Sequence, residues 1–542
     1  AMHFPHSATE AEGGRRRLAF EELLLTQLAL LRRRALRGSG TALVLDGPRE
    51  LTARWLAELL PFAPTGDQLA ALAAIDADLA HARPMQRLLM GEVGSGKTVV
   101  ALYALLRAVE HGAQGVLMAP TETLAEQHFA TLQALVPEAL LEGGAAGRRP
   151  ASRALFGLPT ALLTGSTSPR RRADLLGKLA SGELKLVVGT HALVEEDVVF
   201  DRLAVAVVDE QHRFGVRQRA ALDRKGPVAR AHVPARRGPK KKACTSGPVA
   251  RAESREGVAV PDRLAPHVLH MTATPIPRTL ALTAYGDLDV TRLHELPRGR
   301  GPIATHVASS ERERARAYER IREELRAGRQ AYVVCPLVDE SQELQARAAA
   351  AEFERLREGE LRDFRLELLH GQLRPPQKRK AMARFAAGEA DVLVATTVIE
   401  VGIDVPNATV MLVEDAERYG ISQLHQLRGR IGRGEHPSVC LLFGPRQARR
   451  LRALAEHDDG FRLAEIDLEL RGEGELAGTR QHGQAEPRVA SLPQDAELLE
   501  RAREWAERML AADPALAAPE HVPLREALER ALGAQAHEPL PA

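Results

Sequence analysis

The sequence predicts an α/β protein with two tandem parallel-sheet domains, and three observations carry that expectation. Short apolar runs alternate with helical stretches in two successive sets: "RLLMG", "GVLMAP", "LKLVVGTH", "LAVAVVDE" and "HVLHMTATP", then "QAYVVCPL", "RLELLHG", "ADVLVATT", "ATVMLVED" and "SVCLLFGP". Runs so continuously apolar suit strands covered on both faces, as in parallel sheets. The stretch "DLDVTRLHELPRGRGPI", Asp287 to Ile303, carries Pro and Gly between the two sets and reads as a linker. At 542 residues the chain exceeds what one hydrophobic core supports. The expected division is a helical linker segment at 1–60, α/β domains at 61–293 and 294–446, and a mostly helical C-terminal domain at 447–542.

The N-terminal segment holds "LAFEELLLTQLALL" from Leu18, whose apolar spacing predicts a long amphipathic or buried helix. "RRRALR" follows at its C-terminal end, where the helix dipole favours cations. Glu21 and Glu22 argue against a signal peptide, and no other span is long enough to cross a bilayer, so the expected compartment is the cytoplasm. Cys244, Cys335 and Cys440 lie far apart, which fits reducing surroundings and argues against a structural zinc site.

The net charge of +2 does not by itself point to nucleic acid, but the charge is unevenly spread. Pro227 to Pro261 holds eight Lys or Arg against two Glu, with much Pro, Gly and Ala and no apolar period. It reads as a disordered basic insertion, either a solvated loop or an auxiliary nucleic-acid contact.

The first domain opens with "RLLMGEVGSGKTVVALYALL", which satisfies G-x-x-x-x-G-K-[ST] between a strand and a helix. Gly91, Glu92, Val93, Gly94, Ser95, Gly96, Lys97 and Thr98 form the expected phosphate cradle. Backbone N–H groups and the helix N-terminus face phosphate oxygens, Lys97 reaches the terminal phosphates, and Thr98 ligates magnesium. ATP and Mg2+ are therefore expected. In "AVAVVDEQHRFG" a strand ends in Asp209, placed to hold the magnesium, and Glu210, able to orient and deprotonate the attacking water. In the second domain, "QLRGRIGRG" presents Arg430 and Arg433 three residues apart on an expected helix, where both can neutralise a transferring phosphoryl group.

Taken together these stretches resemble the superfamily 2 helicases, whose two lobes are RecA-like P-loop domains. "PTETLAEQH" looks like their motif Ia, "VVGTHALV" Ib, "DEQH" II, "TATPIPRT" III, "LLHG" IV, "ATTVIEVGIDVPNA" V and "QLRGRIGRG" VI, in the expected order. The resemblance implies adenine recognition by Gln68 in "PTGDQLAAL", a catalytic part for Gln426, and coupling of nucleotide state to DNA by Thr272, Thr274, Thr396, Thr397 and Asp404. Read from the residues alone, Gln68 could sit exposed on a helix and the threonines could cap turns. His212 is expected to hydrogen-bond between motifs rather than to bind metal.

"DDGFRLAEIDLELRGEGELAGTRQHG" resembles the translocation motif of the RecG family of fork-remodelling helicases and of the transcription-repair coupling factors. Arg471, Arg480 and Gln481 are its matching polar positions, and glycines 472, 474, 478 and 483 would let a loop bend. By composition alone the same residues read as a flexible charged loop. The similarity is greater to RecG and covers about residues 15 to 510, interrupted at 142–157 and 227–261. It implies an ATP-dependent double-stranded DNA translocase remodelling branched DNA (forks and four-way junctions) in repair and recombination. It further implies a monomer, with single-strand DNA-binding protein as a candidate partner. The alternatives are a transcription-repair coupling translocase and a nucleotide-gated DNA-binding module without turnover. About sixty residues precede the motor, so the OB-type wedge domain of the family is expected to be missing. Aromatic residues make up only 4% of the chain, which favours duplex tracking through phosphates over a base-stacking channel.

Overall fold

Two parallel sheets, each wrapped by helices, form the body of the protein in a computed structural model. It describes residues 6–37, 40–135, 159–211, 264–277, 286–295, 301–335, 342–396, 405–475 and 494–532, with 214, 221–222, 225–226, 280, 282–283, 297 and 489–491. The basic stretch 227–261 and the stretch 142–157 lie outside the described residues.

In the first domain, β1 (Gln86–Gly91), β2 (Gln114–Met118), β3 (Thr160–Leu163), β4 (Leu186–Gly189), β5 (Leu203–Val208), β6 (His267–Thr272) and β7 (Asp289–Leu293) make a sheet of order β3-β4-β2-β5-β6-β1-β7. In the second, β8 (Ile303–Ala308), β9 (Gln330–Val334), β10 (Leu366–Leu369), β11 (Val392–Ala395), β12 (Ala408–Val413) and β13 (Ser438–Phe443) make a sheet of order β10-β11-β9-β12-β13-β8. All pairings are parallel, the α/β class the apolar runs predict. Strands β2, β5 and β6 are buried along their whole length, so each face of the first sheet needs a helical cover.

The helices in chain order are α1 (Ala8–Arg37), α2 (Glu50–Arg54), α3 (Gly66–Leu79), α4 (Lys97–Glu110), α5 (Glu122–Leu135), α6 (Pro169–Ala180), α7 (Glu311–Arg326), α8 (Gln342–Glu358), α9 (Pro375–Ala386), α10 (Ile421–Arg428), α11 (Arg449–Glu456), α12 (Gly460–Glu475), α13 (Ala496–Ala512) and α14 (Val522–Leu532). Helix α4 is buried from Val99 to Val109 and forms the centre of the first core with Leu72, Ile75, Leu89 and Leu117. Two helices start on full capping boxes, Thr65 with Gln68 and Ser310 with Glu313, each satisfying backbone N–H groups that the first turn leaves open.

Three expectations are corrected. The expected linker at 287–303 contains strand β7 and the first residue of β8. Strand β7 pairs with β1 along Arg87 to Gly91 and closes the edge of the first sheet; its polar residues hid it. The segment at 1–60 is more than a linker. Ala19, Leu23, Leu24, Leu28 and Leu31 of α1 join Leu498, Leu499, Ala502, Ala506 and Leu528 of α13 and α14 in one apolar cluster. The third concerns the charged, glycine-bearing stretch at 471–483, which by composition alone reads as a loop: its described part is helical, α12 running through Gly472 and Gly474 to Glu475. Each glycine costs about 1 kcal/mol of helix propensity. Tertiary packing of Leu463, Ile466 and Leu470 against the second core outweighs that cost.

Candidate nucleotide and coupling site

Strand β1 delivers the phosphate loop at the sheet's C-terminal edge, where parallel α/β sheets place their ligands. Gly94 and Gly96 take positive φ, +88° and +80°, and turn the chain into α4. Thr98 lies in the first turn of that helix. Lys97 folds back on its own loop, its Nζ donating to the carbonyls of Gly91 (2.8 Å) and Glu92 (2.9 Å). Enclosure pushes the Lys97 ammonium below its ordinary value, against the pull of Glu210, Asp209 and Glu92, and the Arg433 charge pushes it further down.

Asp209 is buried at the end of β5, and the ring Nε2 of His128 on α5 lies 2.6 Å from its Oδ2. Burial alone would raise this carboxyl; His128 and Lys97 outweigh it, and the net direction is down. The next residue, Glu210, adopts φ +48°, a left-handed conformation that a non-glycine residue rarely holds. Its Oε1 accepts from the backbone N–H of Ala273 at 3.3 Å, between Thr272 and Thr274, whose hydroxyls lie 2.7 Å apart. The two acids and the two threonines are thus brought together after β5 and β6.

Gln68 is buried rather than exposed. Its Oε1 accepts from Thr65 N–H, capping its own helix, and its Nε2 donates to the Ser95 carbonyl at 2.9 Å, tying the start of α3 to the phosphate loop.

From the second domain, α10 brings half-buried Gln426 and ends at Arg428. Arg430 and Arg433 were expected on a helix; they lie in the turn beyond it. Gly429 and Gly432, the latter at φ +72°, end the helix, and Arg433 Nε donates back to the Gly429 carbonyl at 3.1 Å. A methyl group on Gly429 would meet the Cβ of Val93 at 3.2 Å, so motif VI rests on the phosphate loop. Thr396 is buried just after β11, its N–H donating to the Leu369 carbonyl. Arg471 lies in α12, but its side chain is outside what is described; Thr397, Asp404, Arg480, Gln481 and His212 lie outside the described residues.

The structure adds residues that sequence reasoning missed. His128 partners Asp209 across 81 positions, a separation that no local spacing reveals. Arg428, 3% exposed, donates Nη1 to the carbonyls of Leu454 (2.7 Å) and His457 (3.1 Å) and Nη2 to the carbonyl of Asp458 (3.2 Å) and to His425 Nδ1 (3.0 Å). His425 Nε2 in turn faces Glu92 Oε2 at 3.5 Å across the two domains. The His425–Arg428 spacing of three on one helix was the available signal. Among the described residues no cluster of three His, Cys, Asp or Glu could hold a metal, and no helix is long and apolar enough to cross a membrane.

Comparison with known proteins agrees with this arrangement. Residues 65–281 match the DEAD/DEAH box helicase family, 316–435 the helicase conserved C-terminal domain, and 457–532 the C-terminal part of domain 3 of ATP-dependent DNA helicase RecG. The chain is 43% identical to the ATP-dependent DNA helicase RecG of Synechocystis over 521 residues, 95% of this chain and 56% of that protein. It is 40% identical to RecG of Bacillus subtilis, covering 97% of this chain and 70% of the relative. A solved structure of RecG bound to a three-way DNA junction matches with a TM-score of 0.67 and 37% identity, over 92% of this chain and 59% of that one. A DNA- and AMPPNP-bound MrfA helicase, 14% identical with a TM-score of 0.51, shares the fold. The chain therefore spans a little over half to about two thirds of the length of these relatives, and it belongs to the RecG family of ATP-dependent DNA helicases.

Proposed function

We propose that this chain hydrolyses ATP with magnesium and uses the cycle to translocate on duplex DNA at branch points, remodelling forks and four-way junctions. The observation that carries the reading is the meeting of two domains at one phosphate loop: His425 of the second domain faces Glu92 of the first at 3.5 Å, and Gly429 lies against Val93. Gln68 and the loop from Gly91 to Thr98 bind the nucleotide, with Lys97 leaving its carbonyl partners for the phosphates. Glu210 orients and deprotonates water, and Arg430, Arg433 and Gln426 serve the transferring phosphoryl group. The Thr98 hydroxyl and Asp209 carboxylate are hard oxygen donors and fit magnesium, which supplies charge neutralisation on the phosphates.

Thr272, Thr274, Thr396, Thr397 and Asp404 transmit nucleotide state, and Arg471, Arg480 and Gln481 pass it to DNA. The junction named for the solved relative supports branched duplex as the substrate class. The wider reading is a cytoplasmic monomer that meets single-strand DNA-binding protein at forks. The test is ATP hydrolysis with and without three- and four-way junctions at two salt concentrations, with Glu210→Gln as control. Stimulation by junction DNA that weakens as salt rises is expected, because counterion release drives phosphate contacts. Hydrolysis indifferent to DNA overturns the reading and leaves a nucleotide-gated module.

A further inference from the structure

Gly460, the first residue of α12, occupies the point where three motifs from two domains converge. Its backbone N–H donates to Glu92 Oε1 of the phosphate loop. A methyl group at this position would meet His425 Nε2 at 2.5 Å, Pro275 Cγ at 2.8 Å and Glu92 Oε1 at 2.9 Å. No side chain fits there without displacing the side chains of His425, Pro275 or Glu92. One residue further on, Phe461 packs against His294 with ring centroids 4.4 Å apart and planes tilted by 39°. Just upstream, Arg428 fixes the carbonyls of His457 and Asp458, so the approach to Gly460 is held from both sides.

The other end of this contact is the nucleotide lysine. Lys97 Nζ sits on the Glu92 carbonyl at 2.9 Å and on that of Gly91 at 2.8 Å. A lysine that turns to bound phosphates must release both carbonyls, which frees the peptide that aims the Glu92 carboxylate at Gly460.

We propose that Glu92 is a positioning residue acting as a nucleotide-responsive latch: its carboxylate holds the start of α12 while Lys97 rests on the loop, and releases it when Lys97 moves to phosphate. Nucleotide occupancy then reaches the translocation helix through one side chain, in addition to any movement of the domains. The inference rests on the reading of the chain as a DNA-stimulated ATPase.

The first test is Gly460→Ala, read as the ratio of ATP hydrolysis with saturating three-way junction to hydrolysis without DNA. Alanine is the better helix former by about 1 kcal/mol, so without the convergence the change would be harmless. The latch predicts that the ratio falls about fivefold or more, the scale of a coupling energy between sites. Hydrolysis without DNA is measured on the same preparation, because a general loss of turnover lowers both rates alike and leaves the ratio unchanged. A folded Gly460→Ala protein with the wild-type ratio overturns the latch. Should the variant lack a cooperative thermal transition, Glu92→Gln and Glu92→Ala carry the test. Both shift the KM for ATP, but Gln still accepts the Gly460 N–H and keeps a ratio several times that of Ala, whereas equal ratios overturn the latch. A wild-type chain that DNA does not stimulate at all is a different failure, that of the functional reading itself.

Discussion

Glu210 combines two unusual properties at one position: a left-handed backbone at φ +48° and a carboxylate aimed across to the Ala273 N–H. Backbone strain of this kind costs about 1–3 kcal/mol and persists only where the surroundings enforce it. Here the end of β5 on one side and the turn after β6 on the other do so, and they set the carboxylate beside Lys97 and Asp209. Glu210→Gln keeps the shape and removes the base, so turnover should fall about a hundredfold or more while ATP still binds. Phosphate release and nucleotide titration on the same preparation check this, and near-normal turnover would remove Glu210 from its assigned role. Arg428 is a different case, because its partners are carbonyls of its own chain. Arg428→Lys keeps the charge but loses the planar fork that reaches Leu454, His457, Asp458 and His425 together. A loss on the order of 2–3 kcal/mol is expected, seen as a lower denaturant midpoint, with lysine rescuing little over alanine.

Among the elements, the pairing of α1 with α13 depends on a buried aspartate. Asp495 accepts both guanidinium nitrogens of Arg15 at 2.9 Å and the Ser491 N–H at 2.9 Å. The bond from Arg15 holds its carboxyl below the usual value, against burial, which works the other way. Since the folded state lowers this value, the stabilisation is complete above the unfolded aspartate pKa of about 3.9 and disappears as pH falls through the depressed folded one. Asp495→Asn should cost about 1–3 kcal/mol at neutral pH and flatten the acid limb of unfolding, followed by helical circular dichroism from pH 7 to pH 2. An unchanged acid limb would assign the pairing to apolar contacts alone. The strands show what was legible beforehand. Those read from the sequence include every central strand, since burial on both faces writes an uninterrupted apolar run, as in "LAVAVV". The three it missed, β3, β7 and β8, are all edge strands, where half-exposed positions admit Thr, Asp, Arg and His. The site divides in the same way. The candidate phosphate loop and Asp209–Glu210 are contiguous in sequence and legible there, whereas His128 with Asp209 and Glu92 with Gly460 are pairs made only by the fold.

For the molecule as a whole, helices from opposite ends of the described chain share one apolar cluster, and that cluster is fastened to the first domain. Gln27 Nε2 donates to the Leu282 carbonyl at 3.1 Å, Arg503 Nη1 donates to the Gly286 carbonyl at 2.9 Å, and Arg34 pairs with Asp289 of β7. Leu28 is fully buried in it, so Leu28→Ala should cost about 2–5 kcal/mol. Hydrogen exchange should quicken across 496–532 and leave both sheets protected; a uniform change would mean that the cluster and the sheets unfold as one. Glu22 Oε2 takes the N–H groups of Val489 and Ala490 at 3.0 Å each, pinning these residues to α1. Since the first and last described helices meet in one cluster, the chain is fastened on itself like a belt at its buckle: loosening either helix strips the other of its apolar cover, so the two are expected to unfold together rather than one at a time.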